Sequence, residues 1–118
     1  TPRGEARIRA LFDHWIAWSR LFPGGCVFHA AAAELDDRDG PVRDYLVATQ
    51  RDLLSTLAGA ARIAVDEGHF RKDLDIEQWA YEAYGLVTAY HHVARLLRDE
   101  ATEGRARRAF GLLIERSR

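Results

Sequence analysis

Apolar residues recur every three or four positions along nearly the whole chain, and no stretch alternates apolar and polar residues between turn signals. That spacing is the helical period, so the chain is predicted to be all-α. The breaks divide it into five helices. The first covers residues 4–22, with Ile8, Leu11, Phe12, Trp15, Trp18 and Phe22 on one wide stripe, and it stops at Pro23-Gly24-Gly25. A short, alanine-rich second helix covers residues 26–35. Asp36-Asp37-Arg38-Asp39-Gly40 forms a turn, and Pro41 suits the first position of a third helix, because its missing N–H lies where a helix has no internal acceptor. This third helix runs to residue 67 and meets a left-handed stop at Gly68. Asp75 and Gln78 form a capping box for a fourth helix over residues 75–98. Asp99 or Thr102 caps the fifth, residues 101–118.

Two of these helices are apolar on two sides. The third carries Leu46, Thr49, Leu53 and Leu57 on one stripe and Val47, Leu54, Ala58 and Ala61 on another. The fourth carries Ala80, Ala83, Val87 and Tyr90 on one stripe and Trp79, Leu86, Ala89, Val93 and Leu96 on another. A 118-residue chain is one domain's worth, and five helices of this size cannot cover every such face. The surplus face near the C-terminus reads as a dimer surface. The expected interface is Gly85, Leu86, Ala89, Val93 and Leu96 on the fourth helix, and Phe110, Gly111, Leu113 and Ile114 on the fifth.

Charge narrows the function. The 17 basic and 18 acidic residues are balanced by segment as well as overall: 5 and 6 over residues 1–40, 5 and 5 over 41–74, 7 and 7 over 75–118. Nucleic-acid modules concentrate basic charge on one face, and no segment here has an excess to supply. The single cysteine, Cys26, excludes an internal disulfide framework and a four-cysteine zinc site. No apolar run approaches the ~18 residues of a membrane span, and a reducing, cytoplasmic setting is expected. The chain contains no methionine, even at residue 1, which suggests a fragment of a longer protein.

Chemistry-bearing constellations are sparse. His91 and His92 are neighbours, which point ~100° apart on a helix and do not readily share one metal. Cys26 and His29 share a helix face, but two ligands do not close a zinc site, even with His14 near. A Cys–His nucleophile has no evident orienting partner or oxyanion hole. No catalytic residue, metal or cofactor is therefore expected, and packing explains each of these residues as well. The aromatic cluster of the first helix leaves two readings open, core or pocket wall. As a pocket it would draw on Phe12, His14, Trp15 and Trp18, with Cys26, Phe28 and His29 from the second helix. Tyr45, Thr49 and Leu53 would join from the third helix, Tyr84 and Thr88 from the fourth. Aromatic walls with few hydrogen-bonding groups suit a flat, hydrophobic ligand. A small all-helical enzyme or metal-binding bundle is the alternative reading.

Several short runs, in order, carry a family likeness. Gly24-Gly25-Cys26, Phe28 and Ala30-Ala31-Ala32-Ala33-Glu34 lead to Asp36-Asp37 and Gly40-Pro41-Val42-Arg43-Asp44. Glu67-Gly68-His69-Phe70-Arg71 and Asp73-Leu74-Asp75 come next, then Ala94-Arg95-Leu96-Leu97-Arg98-Asp99 and Arg107-Arg108-Ala109-Phe110. Over residues 20–116 this pattern resembles the C-terminal domain of TetR/AcrR-type transcriptional regulators. The resemblance implies an effector-binding, dimerising domain whose last two helices form a four-helix bundle with a second subunit. It also implies an N-terminal helix-turn-helix domain, which this chain lacks, so that operator DNA would be reached only through that missing part. The chain alone is expected to give no salt-dependent, sequence-selective shift of duplex DNA in a gel assay.

Overall fold

A computed structural model describes residues 2–21, 31–32, 34–35 and 37–118. Four helices account for most of them: α1 (Glu5–Leu21), α2 (Pro41–Asp66), α3 (Ile76–His92) and α4 (Thr102–Ser117). The expected helix over residues 26–35 lies largely outside the described residues, although Ala31, Ala32, Glu34 and Leu35 are helical. The described residues contain no strand.

Local signals account for the ends of α2 and α3. Pro41 opens α2, and Gly68, at φ 80°, takes the left-handed conformation that stops it. With 26 residues at ~1.5 Å each, α2 is about 39 Å long, nearly the full 41 Å of the molecule's longest dimension. The Asp75 side chain accepts the Gln78 N–H at 3.1 Å and so caps α3.

The C-terminal end of the predicted fourth helix departs from expectation. Regular α-helix stops at His92, and Val93–Leu97 form a π-turn. Arg98 then turns left-handed at φ 52°, and both its N–H and that of Asp99 reach back to the Val93 carbonyl. A π-turn fits an extra residue into a helical turn, so the face pattern slips by one position. Asp99 organises the entry to α4: its side chain accepts the Ala101 N–H at 2.9 Å and pairs with Arg105 at 3.0 Å.

The core runs through all four helices. Ile8, Phe12 and Ile16 line the buried side of α1, and Leu57, Ala61 and Ala64 that of α2. α3 contributes Trp79, Ala80, Ala83, Val87 and Tyr90, and α4 contributes Ala106, Phe110, Leu113 and Ile114. Phe12 of α1 stacks on Phe110 of α4, with centroids 4.2 Å apart and planes within 8°. Phe110 meets the edge of Trp79, which in turn lies against Phe70 of the α2–α3 connection. This aromatic series joins three helices and a loop through ring contacts, which add to what burial alone contributes. Three residues expected at a dimer surface, Phe110, Leu113 and Ile114, thus belong to the chain's own core, at 5%, 3% and 0% exposure.

The start of α1 is capped by distant residues. Its own sequence offers no capping side chain before Glu5, and the Glu5 N–H instead donates to His69 Nδ1 at 3.1 Å. Arg118 grips the Glu5 carboxylate with both Nε and Nη2, a forked pair that holds that carboxyl below its ordinary pKa. Arg3 pairs with Glu67 at 3.2 Å. The end of α4 is served in the same way: the Arg71 backbone N–H donates to the Ser117 carbonyl at 2.8 Å, and its guanidinium to the Arg116 carbonyl. Gly4 makes this arrangement possible. Its φ is 94°, and a Cβ there would strike the His69 ring. Gly4→Ala is expected to cost about 1–3 kcal/mol by imposing a left-handed conformation on a side-chain-bearing residue, and to displace His69; a thermal melt unchanged from the parent would contradict this account of α1.

Candidate functional site

Where the helices converge, the aromatic core leaves a small cavity. From α1 it is lined by Ile8, Leu11, Phe12 and Trp15. Leu57 and Ala60 of α2, Trp79, Ala83 and Val87 of α3, and Phe110 of α4 complete the wall. The volume is about 10 Å³, room for one water at most. The lining carries no charged side chain. Trp15 and Trp79 are the only lining residues with a side-chain polar atom, and Trp79 Nε1 is buried with no hydrogen-bond partner among the described residues.

The expected pocket residues divide into three groups. Phe12 and Trp15 line the cavity, and Leu53 packs against the core beside it. Tyr84 is half-buried and donates its hydroxyl to Gln50 Oε1 at 2.6 Å. Burial raises the Tyr84 pKa and so preserves that proton. Thr49 is half-buried too, but its hydroxyl is engaged by the Leu46 carbonyl at 2.8 Å. The second group points elsewhere. Trp18 is 47% exposed and His14 is exposed. At ~100° per residue they stand about 120° and 160° round the helix from Phe12, off the buried seam. Tyr45, 67% exposed, lies ~100° from the buried Leu46, and Thr88, also exposed, is offset equally from Val87. These four residues do not converge on the cavity. Cys26, Phe28 and His29 form the third group and lie outside the described residues. Sequence reasoning missed Gln50, which partners Tyr84, and Ala60 and Ala83, whose small side chains leave the void.

A second feature lies on the outside, between α3 and α4. Gly85, Leu86, Ala109 and Leu112 line a shallow apolar groove with Leu113 at its base. Arg116 and Glu82, 3.5 Å apart, close one end. Of the expected interface residues, Gly85, Ala89 and Leu96 are exposed, while Leu86, Val93 and Gly111 are half-buried. Leu112, at 52% exposure, lines this groove although the sequence reading does not include it; Tyr81 and Leu97 are exposed too, at 70% and 63%.

A family model described as tetracyclin repressor-like, C-terminal domain matches residues 4–110. The chain belongs to this tetracyclin repressor-like family. No curated protein matches the sequence. In this family member no helix among the described residues is long and apolar enough to cross a membrane. Nor do the described residues gather three or more His, Cys, Asp or Glu side chains in a metal-binding arrangement.

The adjacent histidines His91 and His92 of the tetracyclin repressor-like domain differ in setting. His92 is exposed, whereas His91 is half-buried. Burial lowers the His91 pKa below 6.5, and the neighbouring charges of Arg95 and His92 lower it further. A depressed histidine pKa means that the unfolded chain binds the proton more readily. Its contribution to stability is therefore complete above pH ~6.5 and is lost as pH falls from there through the folded-state value. Between pH 7.5 and 5.5 the melting temperature should fall less for His91→Gln than for the parent chain. Parallel pH profiles would exclude this role for His91.

Proposed function

We propose that this chain is the effector-binding and dimerising half of a TetR-like transcriptional regulator, most simply a cytoplasmic repressor. The family match is the observation that carries the proposal. The cavity and the outer groove supply physical counterparts for its two tasks.

In this reading, α3 and α4 pair with the same helices of a second copy to form an intersubunit four-helix bundle. Gly85, Ala89 and Ala109 present little side-chain bulk, so two backbones can approach closely. Leu86, Leu96 and Leu112 provide apolar area around them. The effector occupies the region lined by Phe12, Trp15, Trp79 and Phe110 once the side chains at its mouth move apart. A neutral, hydrophobic compound suits those walls, because no cation lines them to neutralise an anion. Ligand binding favours one placement of α1 relative to α3 and α4, and this bias passes to a helix-turn-helix domain outside residues 1–118. Contact with operator DNA belongs to that domain. No catalytic step is assigned to the chain, and no convergent set of titratable groups among the described residues favours an enzymatic or metal-binding bundle.

A specific dimer should bury upwards of ~1,000 Å² in total. Leu112→Glu places a charge in the groove at a position already half open to solvent, so the fold is expected to survive while the dimer dissociates. Leu113 is unsuitable for this test, because a charge there would enter the core. Sedimentation should show a dimer for the parent chain and a monomer for Leu112→Glu; a monomeric parent at high micromolar concentration would sink the proposal.

A further inference from the structure

The first turn of α1 is closed by a ring nitrogen that has two protonation states. The Glu5 backbone N–H donates to His69 Nδ1 at 3.1 Å, so Nδ1 carries no proton and the neutral ring keeps its proton on Nε2. A second proton would occupy Nδ1 and turn the acceptor into a donor. It would also set a positive charge against the N-terminus of α1, where the helix dipole is positive. The close approach is built into the backbone: Gly4, at φ 94°, has no Cβ, and one there would strike the His69 ring. The ring is exposed, so a proton reaches it without unfolding of the chain. The charged groups where these elements meet are already engaged or face solvent. The Glu5 carboxylate, the natural receiver of an imidazolium, accepts Nε and Nη2 of Arg118 and Nε and Nη2 of Arg9. Arg3 pairs with Glu67 at 3.2 Å, and in the α2–α3 connection Arg71 pairs with Asp73 at 3.2 Å. Asp66 at the end of α2 and Lys72 beside Arg71 are exposed. At the end of α4, Arg116 pairs with Glu82, and Glu115 is exposed.

We infer that His69 is a pH-sensitive latch on α1: the neutral ring closes the first turn of the helix, and the doubly protonated ring releases it. Histidine is the side chain whose charge changes between pH 5 and 8. The latch is therefore closed above that range and opens as pH falls through it. The same turn contains the Ile8 N–H, which donates to the Gly4 carbonyl at 3.1 Å. The Ile8 side chain is buried and lines the inner cavity. Proton uptake at the surface is thus relayed over one helical turn to the cavity wall. The stack of Phe12 on Phe110 and the pair of Asp13 with Arg107 hold α1 further along and do not involve His69, so the release stops at the first turn. The latch belongs to the frame of the cavity and operates with or without a ligand in it.

His69→Asn tests the latch, because asparagine Oδ1 is bonded to Cγ as histidine Nδ1 is, and it accepts at every pH in this range. In the 15N-labelled parent chain taken from pH 8 to pH 5, the Glu5 amide proton signal should move upfield with the same midpoint as the His69 ring signals. Protection of the Ile8 amide, corrected for the intrinsic pH dependence of exchange, should fall roughly two- to tenfold over the same interval, the worth of one hydrogen bond. In His69→Asn both readouts should stay level. In His69→Ala both should already stand at pH 8 where the parent stands at pH 5. Arg118, with help from Arg9, holds the Glu5 carboxyl below its ordinary range, so titration of Glu5 does not supply the change. A Glu5 amide signal that stays in place while the His69 ring titrates, or that moves equally in His69→Asn, overturns the latch.

Discussion

The stack of Phe12 on Phe110 is the contact on which the rest of the fold depends. It is the point where the first and last helices meet inside the core, and Trp79 and Phe70 extend it across α3 to the loop beyond α2. Aromatic pairs of this kind favour definite geometries, so the series fixes relative helix positions more closely than aliphatic contact would. It also explains the void. Flat rings meeting small residues such as Ala60 and Ala83 cannot fill space as fully as branched side chains do. The same choice of residues that orders the helices therefore leaves the cavity between them.

A second constraint acts at the surface. The start of α1 draws its cap from His69 and its charge partner from Arg118, which lie 64 and 113 residues away from Glu5. Individually, exposed ion pairs contribute little. Here they share one end of one helix with a backbone hydrogen bond, and Arg107 meets Asp13 further along at 2.6 Å. α1 is thus held at its start and along its length by α4, while its Leu11 and Trp15 side stays half open. A helix secured on one side and loosely covered on the other can yield locally without leaving the bundle.

Much of this organisation was legible in the sequence, and the failures have identifiable physical causes. Pro41, Gly68 and Asp75 marked helix ends through local conformational preference, which does not depend on neighbours. The apolar stripe of α1 correctly contained Ile8 and Phe12. It also took in Trp18, because periodicity reports hydrophobic character and not which flank of a wide stripe finds a partner. On α3, the stripe holding Ala80, Ala83, Val87 and Tyr90 is the buried one, and Trp79, assigned to the other stripe, belongs with it, because it stands only ~40° round the helix from Ala83 and ~20° from Tyr90. Phe110, Leu113 and Ile114 were placed outside since the sequence does not reveal how deeply the last helix sits. The polar details of the site, Tyr84 on Gln50 and the unmet Trp79 N–H, depend on side chains 34 residues apart or on the absence of a neighbour. No spacing rule within one helix detects either.

The π-turn at Val93–Leu97 bears on how the chain tolerates changes in length. Elsewhere along α3, adding or removing a residue would rotate everything beyond it by ~100° and move buried side chains into solvent. Within the π-turn one residue is already in excess, so a single deletion can be absorbed by reversion to ordinary α geometry. The cost would fall on the far side, where the left-handed turn at Arg98 and the Asp99 contacts set the direction of α4. Homologues one residue shorter at this point would therefore keep the core of α3 unchanged and present a differently angled last helix.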